Sequence, residues 1–265
     1  MTNLFLFFAF ILGTIMGSFL NCLAWRLYHD QSMAGRSKCP HCHKQIAWYD
    51  NIPLLSFIIL RGKCRHCRQP IAWQYPLMEL ACGLLFLGVM SQALGADNLG
   101  STVWALALAR DLVLCGVMAT VFLMDLKWYV ILDEISLPAA GFFLIMNLIL
   151  GASWQNLLLA AAVGAGFFAL QFLVSRGRWI GGGDIRLGLV MGLALADWQK
   201  LLAALFIAYF IGAAVGLILL ASGKKSWGSR LPLGVFLAVG TVVVLFWGKE
   251  IIGWYVNSFS SGALF

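Results

Sequence analysis

Charge is what this chain has least of. Only 11% of its 265 residues are Asp, Glu, Lys or Arg, against roughly 25% in an ordinary soluble domain. Hydrophobic residues make up 62%. These two figures exclude a soluble single-core fold and point to an all-α polytopic membrane protein. Acids are scarcer than bases, 11 against 18, which leaves a net charge of +7. In a soluble protein that imbalance would suggest nucleic acid. Here cytoplasmic loops rich in Lys and Arg account for it, so no nucleic-acid partner is expected. Nothing basic precedes the first apolar segment, 4–24, and no small-residue cleavage site closes it. A removed signal peptide is therefore not expected, and the bulky Asn21 before Cys22 argues against a lipoprotein site. No tandem repeat and no low-complexity linker is read.

What is present is a series of apolar runs at about 4–24, 76–96, 103–124, 130–150, 154–174, 185–196, 201–221 and 232–248. Most approach the roughly 20 residues a helix needs to cross a bilayer. The sixth is short. Either its helix starts earlier, or the glycine-rich stretch before it is irregular backbone at membrane depth, tolerated only against protein or water. Lys and Arg decide the orientation. With residues 26–75 inside, the inner segments hold fifteen of them and the outer ones only Lys200 and Lys249. This predicts about eight spans with both termini on the outer side. The expected division is a first helix over 1–25, a cytoplasmic domain over 26–75, a membrane core over 76–250 and a C-terminal tail over 251–265.

The domain over 26–75 holds all four histidines and four of the seven cysteines. Cys39-Pro40-His41-Cys42 and Cys64-Arg65-His66-Cys67 form two C-x-x-C knuckles with 21 residues between them. Two such turns present four thiolates to one tetrahedral ion, which predicts a structural Zn²⁺ on Cys39, Cys42, Cys64 and Cys67. A reduced compartment disfavours a disulfide, and the β-α-β pattern of a thioredoxin-like dithiol is absent. The histidines are expected at the surface. Cys22, Cys82 and Cys115 lie in apolar helices as small packing residues.

Trp179-Ile180-Gly181-Gly182-Gly183-Asp184 places an acid at the mouth of an apolar run. An ionisable group there is a functional candidate by default. Its partner must come from Glu79, Asp111, Asp125, Asp133 or Glu134. Topology puts Asp125, at the end of the third run, on the same face as Asp184. Two carboxylates sharing one proton make an aspartyl-protease dyad. Asp133 and Glu134 remain rivals. Asp125 could instead pair with Lys127, and Asp184 could merely cap a helix. Asp111 sits beside Arg110, where a structural role is expected.

Taken together these blocks resemble the bacterial type IV prepilin peptidases, the prepilin leader peptidase/N-methyltransferases of the A24 class of intramembrane aspartyl proteases. The resemblance rests on Gly17-Ser18-Phe19-Leu20-Asn21 through Arg26, and on Asn51-Ile52-Pro53-Leu54-Leu55-Ser56. It rests further on Arg61-Gly62-Lys63-Cys64, on Tyr75-Pro76-Leu77-Met78-Glu79, on Asp125 eight residues before Asp133, and on Gly181-x-Gly183-Asp184. Three positions depart from the pattern: Leu132 in place of Pro, Arg186 in place of Lys, and Pro232-Leu233-Gly234-Val235 in place of Pro-x-Gly-Pro.

The resemblance implies that Asp125 and Asp184 are a water-accessible catalytic dyad in the bacterial inner membrane. It implies cleavage of the short basic leader of prepilins and pseudopilins on the cytoplasmic side. It also implies methylation of the new α-amine with S-adenosylmethionine as donor, in the service of pilus or type II secretion assembly machinery. No Gly-rich Rossmann turn marks a donor site. Glu79, at the junction of soluble domain and second run, is placed to orient the amine, and equally to be an interfacial helix-start acid. Gly62 either lets a ligand approach the backbone or simply makes a turn. Gly181 and Gly183 are expected to let an extended substrate lie close to Asp184. Two other readings compete: a small transporter or channel with a regulatory zinc domain, and a relative with peptidase activity alone.

Overall fold

A computed structural model describes residues 2–226 and 228–261. The chain folds into helices α1 (Thr2–Tyr28), α2 (Leu55–Ile59), α3 (Gln74–Leu94), α4 (Thr102–Trp128), α5 (Asp133–Ile149), α6 (Trp154–Ser175), α7 (Gly182–Leu195), α8 (Trp198–Ala221) and α9 (Leu233–Ser261). Each expected apolar run is a helix. Six of them, α1, α3, α4, α6, α8 and α9, are long and apolar enough to cross a membrane. The other two, α5 and α7, have 17 and 14 residues. By helical rise that is about 25 and 21 Å, short of the roughly 30 Å hydrocarbon core. Of the two options for the sixth run, the first holds: its helix begins earlier, inside the glycine stretch. α9 kinks at Trp247, where φ is −127° and ψ 16°, and its second part runs on past residue 250, through the start of the expected tail, while residues 262–265 lie outside the described residues. The chain divides into two compact units, Met1–Thr120 and Val121–Phe265.

In the first unit α1 packs along α3. Apolar burial does not hold two helices together in lipid, so small residues that let backbones touch do this work. A Cβ on Gly17 would stand 2.6 Å from the Met78 carbonyl oxygen. One turn further, the buried Asn21 donates to the Gly17 carbonyl at 3.1 Å, and its own Oδ1 has no partner. The helix ends on Arg26, whose buried guanidinium donates to the carbonyls of Ser32, Met33, Ala34 and Gly35 and so ties down the chain entering the soluble domain.

That domain contains a repeat which the sequence reading overlooked. Lys38-Cys39, His41-Cys42 and Ile46-Ala47-Trp48 recur twenty-five positions later as Lys63-Cys64, His66-Cys67 and Ile71-Ala72-Trp73. The backbone repeats too. The Cys39 amide donates to Lys44 and the Cys64 amide to Gln69, at 2.9 and 2.8 Å. Ile46 donates to Ser37 and Ile71 to Gly62. Single bridges Lys38–Gln45 and Lys63–Pro70 close the two turns. A 3₁₀ turn, Trp48–Asn51, and α2 fill the space between them.

In the second unit α5, α6, α8 and α9 all pack on α7, which is why so short a helix is buried on most sides. Its contact with α6 is backbone on backbone. A Cβ on Gly188 would fall 2.4 Å from the Gly164 carbonyl oxygen, and one on Gly192 would fall 2.3 Å from that of Ala160.

Candidate functional site

The two knuckles bring Cys39, Cys42, Cys64 and Cys67 together, with all four sulfurs within 4.8 Å of one another. Cys39 Sγ and Cys67 Sγ are 3.8 Å apart. Four sulfurs around zinc at about 2.3 Å would stand about 3.8 Å from each other, so the donor set fits a tetrahedral Zn²⁺. The Cys67 amide, assisted by the His66 amide and neighbouring thiols and opposed by desolvation, lowers the Cys64 thiol to about 7. A metal would thus find part of that ligand already ionised at neutral pH. His41, His43 and His66 are exposed, and none joins the cluster. Asp50 clamps the second knuckle from outside by accepting from Arg65 Nε at 2.7 Å. Cys82 and Cys115 are buried in helices and Cys22 is partly so, as packing residues would be.

The carboxylate site lies in the second unit. Asp125 occupies the last turn of α4 and Asp184 the first turn of α7. Both are buried, at 6% and 9% exposure, in a region where an isolated acid is costly. The segment that follows α4 packs Ile131 against Gly183, at the start of α7, which ties the two helix ends together. Each is pinned by backbone amides. Asp184 stands at the third position of α7 and accepts from the Gly181 amide at 2.9 Å, half of a capping box. Asp125 accepts from the Val235 amide at 3.2 Å, and the Gly234 amide also bonds to it. In both residues this bond falls on Oδ2. The helix-cap reading of Asp184 is therefore borne out for its backbone contact. Lys127 does not pair with Asp125; its ammonium lies over the Trp128 ring, 4.6 Å from the centroid. Asp111 pairs with Arg110 at 2.8 Å.

The two rivals lie on α5. Asp133 pairs with Arg186 of α7, and Glu134 is exposed. The glycines divide. A Cβ on Gly183 would come 2.9 Å from the Ile131 Cβ, while one on Gly182 would meet nothing within 4 Å. At Gly181 the nearest atom is Asp184 Oδ2 itself, at 3.7 Å. Gly183 is thus required first by the 129–132 segment packed over it. Sequence reasoning missed the Gly234 and Val235 amides. Their only signal was the Pro232-Leu233-Gly234-Val235 element, which carries no chemistry on its face.

The methylation candidates both lie in the first unit. Glu79 is buried. It accepts from the Leu54 amide at 2.8 Å and bonds with Ser18. A carboxylate accepts hydrogen bonds and has the sign that suits a cationic group such as an ammonium or sulfonium. Gly62 has φ +67, and a Cβ there would lie 3.1 Å from the Phe57 ring. It makes a turn, on the lip of an open apolar groove of about 620 Å³ whose charges are Arg61 and Lys63. That groove has the wrong sign for a sulfonium.

A family model described as the bacterial peptidase A24 N-terminal domain matches residues 11–93, and one described as the type IV leader peptidase family matches residues 112–217. The chain is 33% identical to a prepilin leader peptidase/N-methyltransferase of Stutzerimonas stutzeri, over 96% of this chain and 94% of that protein. It is 38% identical to one of Myxococcus xanthus, over 83% of this chain and 65% of the relative. It is 32% identical to one of Bacillus subtilis, over 94% and 96% respectively. No solved structure matches. Nothing in these likenesses supports the transporter reading.

Proposed function

Since the chain belongs to the bacterial type IV leader peptidase family, we propose how its residues divide that family's two activities. The protein is a membrane enzyme that removes the leader of prepilins and methylates the new N-terminus. The observation carrying the first half is the pair Asp125 and Asp184, both buried and each fixed by a backbone amide.

One aspartate is ionised and the other neutral, because like charges this close do not both ionise. Water attacks the scissile carbonyl carbon and loses a proton to the ionised aspartate. The neutral aspartate gives its proton to the carbonyl oxygen. Collapse of the gem-diol then breaks the C–N bond. The newly protonated aspartate passes its proton to the leaving amine, and its partner regains one from the gem-diol hydroxyl. The amides on Oδ2 hold each carboxylate in one orientation while its other oxygen does this work. Any titration belongs to the pair rather than to either residue.

S-adenosylmethionine would supply the methyl group. The α-amine, with a free pKa of about 7.7–8.0, must be unprotonated to accept it. Glu79 is the residue we assign to orient that amine and hold its proton. Cys39, Cys42, Cys64 and Cys67 would hold one Zn²⁺, closed by four protein ligands and therefore structural. We place the soluble domain and the dyad on the cytoplasmic face of the inner membrane with both chain ends periplasmic, on the strength of the Lys and Arg distribution. The division 1–25, 26–75, 76–250 and 251–265 belongs to the same proposal, as does service to pilus or type II secretion machinery. The test is to incubate the full chain in bilayers with a prepilin, with and without S-adenosylmethionine, and to weigh the products. Both the leader loss and a donor-dependent methyl gain are expected. Leader loss with no methyl gain would remove the second activity.

A further inference from the structure

Two of the positions where the chain departs from its family pattern adjoin or form one contact. Arg186 lies on α7 two residues after Asp184, and Asp133 opens α5 straight after Leu132, eight residues beyond Asp125. Their side chains form an ion pair that is 44% and 43% exposed. The segment between the two acids of the first block crosses directly over α7, with Ile131 against Gly183. The contacts close a ring: Asp125, the 129–132 segment, Asp133, Arg186 and back to Asp184. Asp125 is fixed at its own end by the Val235 amide and Asp184 by the Gly181 amide. The separation of the two carboxylates is then set by how α5 and α7 are held at this end.

We propose that Asp133 and Arg186 form a positioning clamp that holds the catalytic carboxylates at their working separation. Neither residue touches substrate. The proposal rests on the dyad reading above and adds to it the device that sets its geometry. An exposed ion pair contributes little to overall stability, but a dyad that shares one proton is sensitive to distance. A displacement of about 1 Å at a reacting centre can cost about a hundredfold in rate. The clamp therefore acts on kcat while leaving folding and substrate affinity nearly alone. A guanidinium and an ammonium both serve, since either reaches a carboxylate at this range, although only the guanidinium offers two parallel donors.

The experiment uses the full chain in bilayer discs with a prepilin substrate and reads kcat, KM and thermal unfolding. Asp133→Asn and Arg186→Gln are each expected to lower kcat about tenfold, with KM within about twofold and the unfolding midpoint nearly unchanged. Arg186→Lys should keep most of the wild-type kcat. The reversed pair, Asp133→Arg with Arg186→Asp, should recover a large part of what the single neutral variants lose. Wild-type kcat in both neutral variants would overturn the clamp. So would strictly multiplicative losses in the Asp133→Asn, Arg186→Gln double variant, because residues that act as a pair do not add. Asp184→Asn is the control that separates the two claims. If that variant still cleaved, the dyad itself would be wrong and the clamp would fall with it.

Discussion

All four sulfurs come from one short stretch, Cys39 to Cys67, and each pair is presented by a turn whose hydrogen bonds close within ten residues. The carboxylate site draws on the end of α4, the start of α7 and the start of α9, with the Asp125–Val235 bond spanning 110 positions. One centre is local and duplicated, the other is assembled from distant helix ends. The local centre carries its own scaffold, so damage to it should stay within the soluble domain. The assembled centre depends on helix packing and should respond to changes that touch no catalytic atom.

The sharpest break between the two comes from removing one carboxylate. Asp125→Asn or Asp184→Asn should lower prepilin cleavage by about 10⁴-fold or more, as loss of a catalytic group commonly does. Zinc content and methylation of a pre-cleaved pilin should persist. Cleavage near the wild-type rate in either variant would end the dyad assignment. Next in size is the reciprocal change. Cys39→Ser should leave the purified protein with almost no zinc and weaken methylation, while cleavage survives. Metal analysis and the two product masses read this directly. Zinc near zero in fully active wild-type protein would dismiss the metal centre.

Legibility in the sequence followed the same division. The knuckles were readable because their ligands stand three apart, and so was the helical fold, because apolar runs of span length need no partner to be recognised. The 25-residue duplication was equally readable and was missed because only the cysteines were compared, not the Ile-Ala-Trp that follows each pair. Asp125 and Asp184 were paired by topology alone, which gave a shared face but no distance. The Gly234 and Val235 amides were invisible, since a backbone donor has no residue-type signature. The Asn21 carbonyl and the four acceptors around Arg26 were hidden for another reason. At a helix end, a polar residue does not disclose what it bonds.

Glycine substitutions sharpen the comparison at intermediate size. Gly183→Val places a branched side chain where even a Cβ would stand 2.9 Å from Ile131, so the 129–132 segment must move away from α7. A loss of about 10- to 100-fold in kcat is expected, with zinc unaffected. Gly182→Ala, one residue earlier, enters open space and should cost several-fold less. Equal losses at the two positions would mean that both glycines serve the approaching substrate rather than the packing of the site.

The smallest effect expected is at the local centre's outer clamp. Arg65 beside Asp50 holds that carboxyl below its usual value, against a desolvation that opposes it. A carboxyl whose folded pKa is depressed adds stability above its unfolded pKa and loses it as pH falls through the folded value. The Asp50 contribution is therefore complete at neutral pH and disappears only below about pH 4. The thiols behave differently, since each must lose a proton to bind zinc, and protons compete with the metal for all four sulfurs, whose free values lie far above a carboxylate's. Zinc release on acidification should thus begin well above the pH at which the Asp50 clamp opens. Asp50→Asn should leave the release midpoint almost where it is, with at most a slight rise, because the pair is exposed on the Arg65 side and screened there. A large upward shift in that midpoint would show that the knuckle depends on its outer clamp and is less self-contained than its short hydrogen-bonded turns imply.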